Sequence, residues 1–288
     1  MTVDRNTAAR ELLAFYIEAG VDFAVSEAPV NRFADTTATE TTARAAPEGA
    51  AAAVARGIDQ RPSADVPART SAAPAAPPAP EAAIMAAREA ARNAASLGEL
   101  RAILAGFEGC ALRGTAKQLV FADGNPQSRV MFVGEAPGRD EDIEGLPFVG
   151  RSGKLLDRMM AAIGLDRTSA YIANIVPWRP PGNRTPTPQE SQICLPFILR
   201  QVELADPDIL VCLGGPAAQS LLGVTDGIMR TRGRWFPFNT GTREIRALAT
   251  LHPAYLLRQP LHKRLAWRDF LAVKQALAGY AAGQPARI

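Results

Sequence analysis

Apolar and β-branched residues gather in four short runs in the second half of the chain: RVMFVGE at 129–135, AYIANIV at 170–176, DILVCLGG at 208–215 and EIRALATLH at 244–252. Each has the length and composition of a strand. The first three lead into segments with helical spacing, GKLLDRMMAAIG, PQESQICLPFILRQVELA and PAAQSLLG. That alternation predicts a parallel sheet with helices on both faces. GRWFPFNTGTREIRALAT reads as a hairpin that turns at Asn239 to Thr242 into the last strand, and LAWRDFLAVKQALAGY as the closing helix. Upstream, SLGELRAILAGF supplies a cap and a helical pattern, so the folded domain is expected at residues 95–288. Residues 1–94 read as an N-terminal extension. Within it, ARELLAFYIEAGVDF places Leu12, Leu13, Tyr16 and Ile17 at helical spacing and predicts one short helix stopping at Gly20. From about Glu27 to Ala86 the chain is Ala, Pro, Thr and small polar residues, too poor in large apolar side chains to offset chain entropy, and reads as a disordered linker.

Composition narrows the class. A chain of 288 residues with 47% hydrophobic content can bury a core. No apolar run reaches the roughly 18 residues of a membrane span, and MTVDRNTAAR lacks the basic start and apolar stretch of a secretory leader. A cytoplasmic protein without membrane contact is expected. The three cysteines, Cys110, Cys194 and Cys212, are too few and scattered for a disulfide framework, which agrees with a reducing compartment. The net charge of +3 divides unevenly: residues 1–94 carry 9 basic and 12 acidic side chains, leaving 23 and 17 for residues 95–288. A basic excess in the domain suits a partner with phosphates, and also suits many enzymes of neutral metabolites.

Ligands of open parallel sheets bind beyond the carboxyl ends of the strands. The residues expected there are Gly134, Glu135 and Ala136, then Asn174, then Gly214 and Gly215, then His252 and Pro253. The loop GEAPGRDEDIEGLPFVG at 134–150 has the glycines of a phosphate cradle, yet Glu135, Asp140, Glu141, Asp142 and Glu144 crowd it with charge that repels phosphate. Taken singly, each residue has an ordinary structural use: Asn174 in a turn, His252 hydrogen-bonded in place, Phe148 packed beside Pro147 and Val149, the acids solvated. Together, amide, imidazole, aromatic ring and carboxylate suit a flat heterocycle. The ring stacks it, Asn reads a donor–acceptor edge, His steadies developing negative charge, and a carboxylate stabilises a sugar cation or orients water. The acidic turn then has a reason, because breaking a glycosidic bond passes through a cation-like sugar.

At these residues the sequence resembles a known family. GEAPGRDEDIEGLPFVGRSGKLLDRM, NIVPWRPPGNRTPTPQE and LHPAYLLR are similar to the three signature stretches of the uracil-DNA glycosylase superfamily, most closely its family 4, the iron–sulfur type, over roughly residues 100–280. The resemblance implies an α/β fold, a three-layer α/β/α sandwich with a central four-stranded parallel sheet. It also implies roles. Glu135 and Glu141 belong to the acidic loop that positions water and steadies the sugar cation, either one being the principal catalytic carboxylate, with the Ala136 backbone near the base. Phe148 stacks on uracil, Asn174 bonds its Watson–Crick edge, and His252 bonds O2 and stabilises the leaving anion. The loop from His252 to Arg258 presses into DNA as the base flips out. Leu256 and Leu257 are its wedge candidates, one of the two being expected in the core, and Arg184, Arg258, Lys263, Arg264 and Arg268 are candidate phosphate contacts. Ala254 stands where the family has serine, which removes a hydrogen bond to phosphate.

Family 4 ligates a four-iron cluster with four cysteines, and the matching positions here are Phe107, Cys110, Trp178 and Cys194. Two ligands are missing and Cys212 lies inside a strand run, so an all-cysteine cluster within one chain is excluded. A protein without cofactor or metal is expected, with Cys110 and Cys194 as remnants of the cluster site. Another superfamily member links itself to DNA through a histidine in a KRRIH-type insertion, and GNRTP lacks one. His262 reads as a contact to phosphate or solvent.

The expected function is a monofunctional uracil-DNA glycosylase of base excision repair. It would flip uracil from single- or double-stranded DNA and hydrolyse the N-glycosidic bond as a monomer, releasing free uracil and leaving an abasic site. No lysine is expected at the strand-end rim for Schiff-base chemistry. Two further readings stay open: a lesion- or abasic-site-binding homologue with weak or no turnover, and a glycosylase for another deaminated base such as hypoxanthine or xanthine. The extension is assigned no partner.

Overall fold

The structure, a computed structural model, describes residues 80–281. The helix expected at 9–23 and the linker up to residue 79 lie outside them. In chain order the elements are α1 (Pro80–Arg92), α2 (Leu97–Gly106), β1 (Asp123–Gly124), β2 (Val130–Gly134), α3 (Arg139–Glu144), α4 (Arg151–Ala162), β3 (Tyr171–Asn174), α5 (Pro188–Ala205), β4 (Ile209–Leu213), α6 (Gly215–Leu222), α7 (Ile228–Thr231), β5 (Trp235–Asn239), β6 (Glu244–Thr250), α8 (Pro253–Arg258) and α9 (Lys263–Ala281). Single 3₁₀ turns lie at Ala111–Gly114, Pro181–Asn183 and Pro260–His262.

One six-stranded sheet has the order β1-β3-β2-β4-β6-β5. Its interior strands β3, β2, β4 and β6 pair in parallel. β1 and β5 add antiparallel edges, so the sheet is mixed and wider than the four strands expected. The extra edge β1 is only Asp123–Gly124, which carries no apolar run for a sequence scan to find. β5 and β6 are the anticipated hairpin, and Pro237 is tolerated because β5 lies at an edge.

Side-chain alternation sets the layers. Met131, Val133, Ala173, Leu210, Cys212, Ala247 and Ala249 join a core with α1, α2, α5 and α6. Val130, Phe132, Ile172, Ile209, Val211, Leu213 and Leu248 join another with α4 and α9. The result is helix–sheet–helix layering. Both faces being covered explains why β2, β3 and β4 are buried at every position and read as unbroken apolar runs. Each Leu, Ile or Phe so enclosed contributes about 1.5–3 kcal/mol relative to exposure.

α1 departs from expectation. It falls in the segment read as extension, yet Ala83, Ala87, Ala91 and the following Ala94 are buried in the same core as α5. Arg200 of α5 donates twice to the Ala94 carbonyl, at 3.1 and 2.7 Å. Alanines at i, i+4 and i+8 bring two helices close while supplying none of the large side chains that mark a core in sequence. The packed domain therefore takes in residues 80–94. α2 begins where its cap predicts: Ser96 accepts from the Glu99 amide at 3.2 Å, and Glu99 accepts from the Ala95 amide at 2.8 Å. Among the described residues no helix is long and apolar enough to cross a membrane.

From β2 the chain passes to β3 on one side and then crosses to β4 on the other. The connections diverge there, and a crevice opens beyond the carboxyl ends of the interior strands.

Candidate active site

A cleft of about 590 Å³ occupies that crevice. Glu135, Ala136, Glu141, Phe148, Asn174, Arg184, His252 and Arg258 all line it, brought together from the connections that follow β2, β3 and β6. Leu256, Leu257, Lys263 and Arg264 are absent from its lining.

The loop between β2 and α4 is shaped by two missing Cβ atoms. A methyl group on Gly134 would lie 2.5 Å from Asn174 Oδ1 and 2.6 Å from Phe148 Cζ, so glycine lets the amide and the ring close over the strand end. A methyl group on Gly153 would collide with the Phe148 carbonyl, so glycine also lets α4 abut that turn. Phe148 itself has φ 55°, a left-handed conformation that costs a bulky residue about 1–3 kcal/mol. Arg167 holds it there by donating to the carbonyls of Pro147 and Phe148 while pairing with Asp123 and Asp157. The ring ends up buried, tilted 31° against the His252 imidazole at 5.5 Å between centroids.

The two candidate carboxylates have different surroundings. Glu141 accepts from the Gly138 amide at 3.0 Å through one oxygen, and from the Val149 and Gly150 amides at 3.1 and 3.0 Å through the other. It thereby ties the two ends of the acidic loop together. Glu135 lies half-buried at the end of β2, and burial alone pushes its carboxyl above the usual range. Asp142, almost wholly buried, accepts from the Lys117 amide at 2.8 Å and pairs with Arg179 at 3.7 Å. Arg179 in turn donates to Asn183 Oδ1 at 2.7 Å, which joins the acidic loop to the PPGNRTP loop.

Asn174 is 5% exposed, and its carboxamide oxygen has no hydrogen-bond partner among the described residues. An orphaned buried acceptor costs about 1–3 kcal/mol unless a ligand satisfies it. His252 caps α8: its Nδ1 accepts from the Ala254 amide at 3.1 Å. That bond leaves the proton on Nε2. Burial, and secondarily the charge of Arg258, depress its pKa to about 4, so the ring is neutral near pH 7.

Several candidates for gripping a strand look different in three dimensions. Leu256 is fully buried with Leu251 and Ala266, so it is a core residue and not a wedge. Leu257 is half-buried. Arg184 makes a two-pronged pair with Glu190, at 2.8 and 2.7 Å, which holds the PPGNRTP loop against the start of α5. Arg258, Lys263, Arg264 and Arg268 are exposed. His262 is half-buried and engaged within the protein: its Nδ1 lies 2.8 Å from the Tyr255 hydroxyl and the rings stack at 5.6 Å. Arg167, Arg179, Asn183 and Tyr255 were not among the expected site residues. Each acts through a partner distant in sequence or at the next turn, which no local motif displays.

The four positions matching cluster ligands do not fit an iron–sulfur group. Trp178 is 2% exposed in the core, and Phe107 packs edge-on against Phe197 at 5.0 Å. The Cys110 and Cys194 sulfurs lie 4.0 Å apart, and these two thiols are half of what an all-cysteine four-iron cluster needs. Cys212 is buried within β4, which pushes its thiol up to about 12, as befits a small apolar core residue. Among the described residues no three His, Cys, Asp or Glu side chains are grouped so as to hold a metal.

Fold and site together define an α/β protein whose strand ends surround a cleft with an unpaired carboxamide oxygen, a neutral imidazole, an aromatic ring and a half-buried carboxylate. The family model of the uracil DNA glycosylase superfamily matches residues 121–271, and the chain belongs to that superfamily. It is 43% identical over 155 residues to a type-4 uracil-DNA glycosylase of Archaeoglobus fulgidus, covering 52% of this chain and 78% of that protein. Type-4 uracil-DNA glycosylases of Thermotoga maritima and Saccharolobus solfataricus are 42% and 39% identical over 150 and 174 residues, covering 77% and 81% of their lengths.

Proposed function

We propose that the protein is a monofunctional uracil-DNA glycosylase that hydrolyses the N-glycosidic bond of a flipped deoxyuridine. The unsatisfied Asn174 carboxamide at the end of β3 carries this reading. Its oxygen suits the uracil N3–H and its NH₂ suits O4, whereas cytosine presents the opposite pattern. Phe148 supplies the stacking face. As the C1′–N1 bond lengthens, negative charge spreads onto the uracil oxygens and positive charge onto the sugar. Neutral His252 donates its Nε2–H to O2; with its pKa near 4 it acts as a hydrogen-bond donor to the anion and is not a source of a full proton. The Glu135 carboxylate faces the sugar cation and takes the proton of the attacking water. Glu141, engaged by three amides, acts by holding the loop. Among the described residues no lysine lines the cleft, which supports hydrolysis without strand cleavage.

The reaction so drawn needs no iron, and the aromatic side chains at two cluster positions support a protein that folds without it. Iron content at or above one atom per chain in the purified protein would overturn this part. The activity is tested with a labelled oligonucleotide carrying one uracil, cleaved by alkali after incubation. Wild-type protein converts it, and Asn174→Asp loses uracil excision by on the order of a hundredfold because an acceptor replaces the donor to O4. Retained binding without conversion by the wild type would instead make this a lesion-binding protein. Parallel oligonucleotides with hypoxanthine and xanthine define whether the edge read by Asn174 confines the enzyme to uracil.

A further inference from the structure

Two helices leave a second groove open beside the cleft. On α4, Leu155, Arg158, Met159 and Ala162 stand at i, i+3, i+4 and i+7, and on α9 Lys263, Ala266, Trp267 and Phe270 repeat that spacing. The two stripes line one valley of about 200 Å³, together with Leu256 of α8. This valley continues from the cleft. Ser152, one turn before Leu155 on α4, lines the cleft, and so does Tyr255, the residue before Leu256. From Leu155 to Ala162 α4 extends the groove by about 10 Å, the length of a few nucleotides.

Trp267 is 42% exposed, and among the described residues its indole stacks on no other ring and takes no cation. The other two tryptophans are occupied, Trp178 in the core and Trp235 under the Arg246 guanidinium at 4.0 Å. The banks of the groove are cationic. The only carboxylates of α4 and α9 are Asp157, paired with Arg167, and Asp269, buried against Arg232. Arg151, Lys154 and Arg158 on α4, and Lys263, Arg264 and Arg268 on α9, are all exposed, and no ion pair among the described residues engages any of them. An apolar floor with a free indole suits a flat base, and unpaired cations on both banks suit phosphates; a nucleic-acid strand offers both at every step. An acidic peptide would also answer the charge, but a strand accounts in addition for a groove that runs on from the base-binding cleft.

Resting on the reading that the cleft receives a flipped base, we propose that the groove between α4 and α9 is a strand-binding subsite. An unpaired base a short way along the strand from the uracil stacks on Trp267, while Arg158 and Lys263 hold the phosphates beside it. In a duplex that base is already paired and stacked, so the subsite serves single strands and unpaired flanks. It tightens the grip on such DNA without touching the reacting bond.

The test uses the full chain and single-stranded oligonucleotides with one uracil: a short one with a single nucleotide on each side, and longer ones extended by about six thymidines on the 5′ or the 3′ side. Affinity is read by titration and excision by single-turnover rate. One of the two extensions is expected to tighten binding to wild-type protein by about tenfold and to quench its tryptophan fluorescence. Trp267→Ala should lose that gain on the extended oligonucleotide alone, with the excision rate at saturation unchanged. Trp267→Phe should keep most of the affinity and lose the quench. Arg158→Gln should flatten the slope of log affinity against log salt by about 0.7, the value of one phosphate on a single strand. Equal affinity of wild type and Trp267→Ala for the extended oligonucleotides would overturn the subsite and leave the groove to an acidic protein segment. An equal loss on short and extended oligonucleotides would overturn it as well, by making Trp267 a structural residue. Binding that depends on Trp267 without excision from any oligonucleotide would keep the strand groove and remove the glycosylase reading.

Discussion

The depressed pKa of His252 ties stability to pH in a way that the structure lets us size. In the unfolded chain the imidazole titrates at its ordinary 6.5, whereas in the fold burial and Arg258 bring it to about 4. Between those values the unfolded chain binds a proton that the folded chain refuses, so stability falls as pH drops through 6.5 towards 4 and levels off below. Protonating the folded ring costs the full shift, about 3 kcal/mol at 1.36 kcal/mol per pH unit. Between about pH 7.5 and about pH 5 the linked loss from this residue is about 2 kcal/mol. His252→Gln keeps a polar side chain in the cleft wall and removes the titration. Urea unfolding of both proteins at the two pH values isolates the histidine, because carboxylates such as Glu135 contribute equally to each and cancel in the difference of differences. The wild type should lose about 2 kcal/mol more than the variant. Equal losses would show that the ring protonates as easily in the fold as in water, and would remove the argument that a neutral donor meets the leaving uracil.

The two glutamates should separate in opposite directions. Glu135→Gln should slow excision by on the order of a hundredfold while leaving the melting temperature unchanged or raised, since burial of that carboxyl works against folding. Glu141→Gln should instead lower stability by about 1.5–3 kcal/mol, the loss of charge-assisted bonds to backbone amides, seen as a shifted denaturant midpoint. The reverse pattern would exchange their roles. Removing residues 1–79 should leave melting of the domain within a few degrees of the full chain, whereas removing 1–94 strips α1 and the Ala94 carbonyl from α5 and should lower it markedly; equal melting of both would deny α1 a place in the core.

The pattern of apolar runs by itself determined much of the architecture. β2, β3, β4 and β6, the helices that follow, and the β5–β6 hairpin were legible because burial on both faces forces continuous apolar strands and because turns need particular residues. The strand ends could be read for the same reason: in a parallel sheet they share one rim, so Glu135, Asn174 and His252 had to be neighbours. Other features depended on contacts between residues far apart in the chain. α1 was invisible because alanine carries no hydrophobic signal until another helix packs on it. That three backbone amides, of Gly138, Val149 and Gly150, converge on the oxygens of Glu141 was not legible in the sequence. Leu256 and Leu261 are alike in sequence, and only the packing of Leu251 and Ala266 over one of them sent it inward. Sequence fixes the chemical groups and the period of burial; which carboxylate is left unpaired and which leucine meets solvent are decided by the neighbours that tertiary folding supplies.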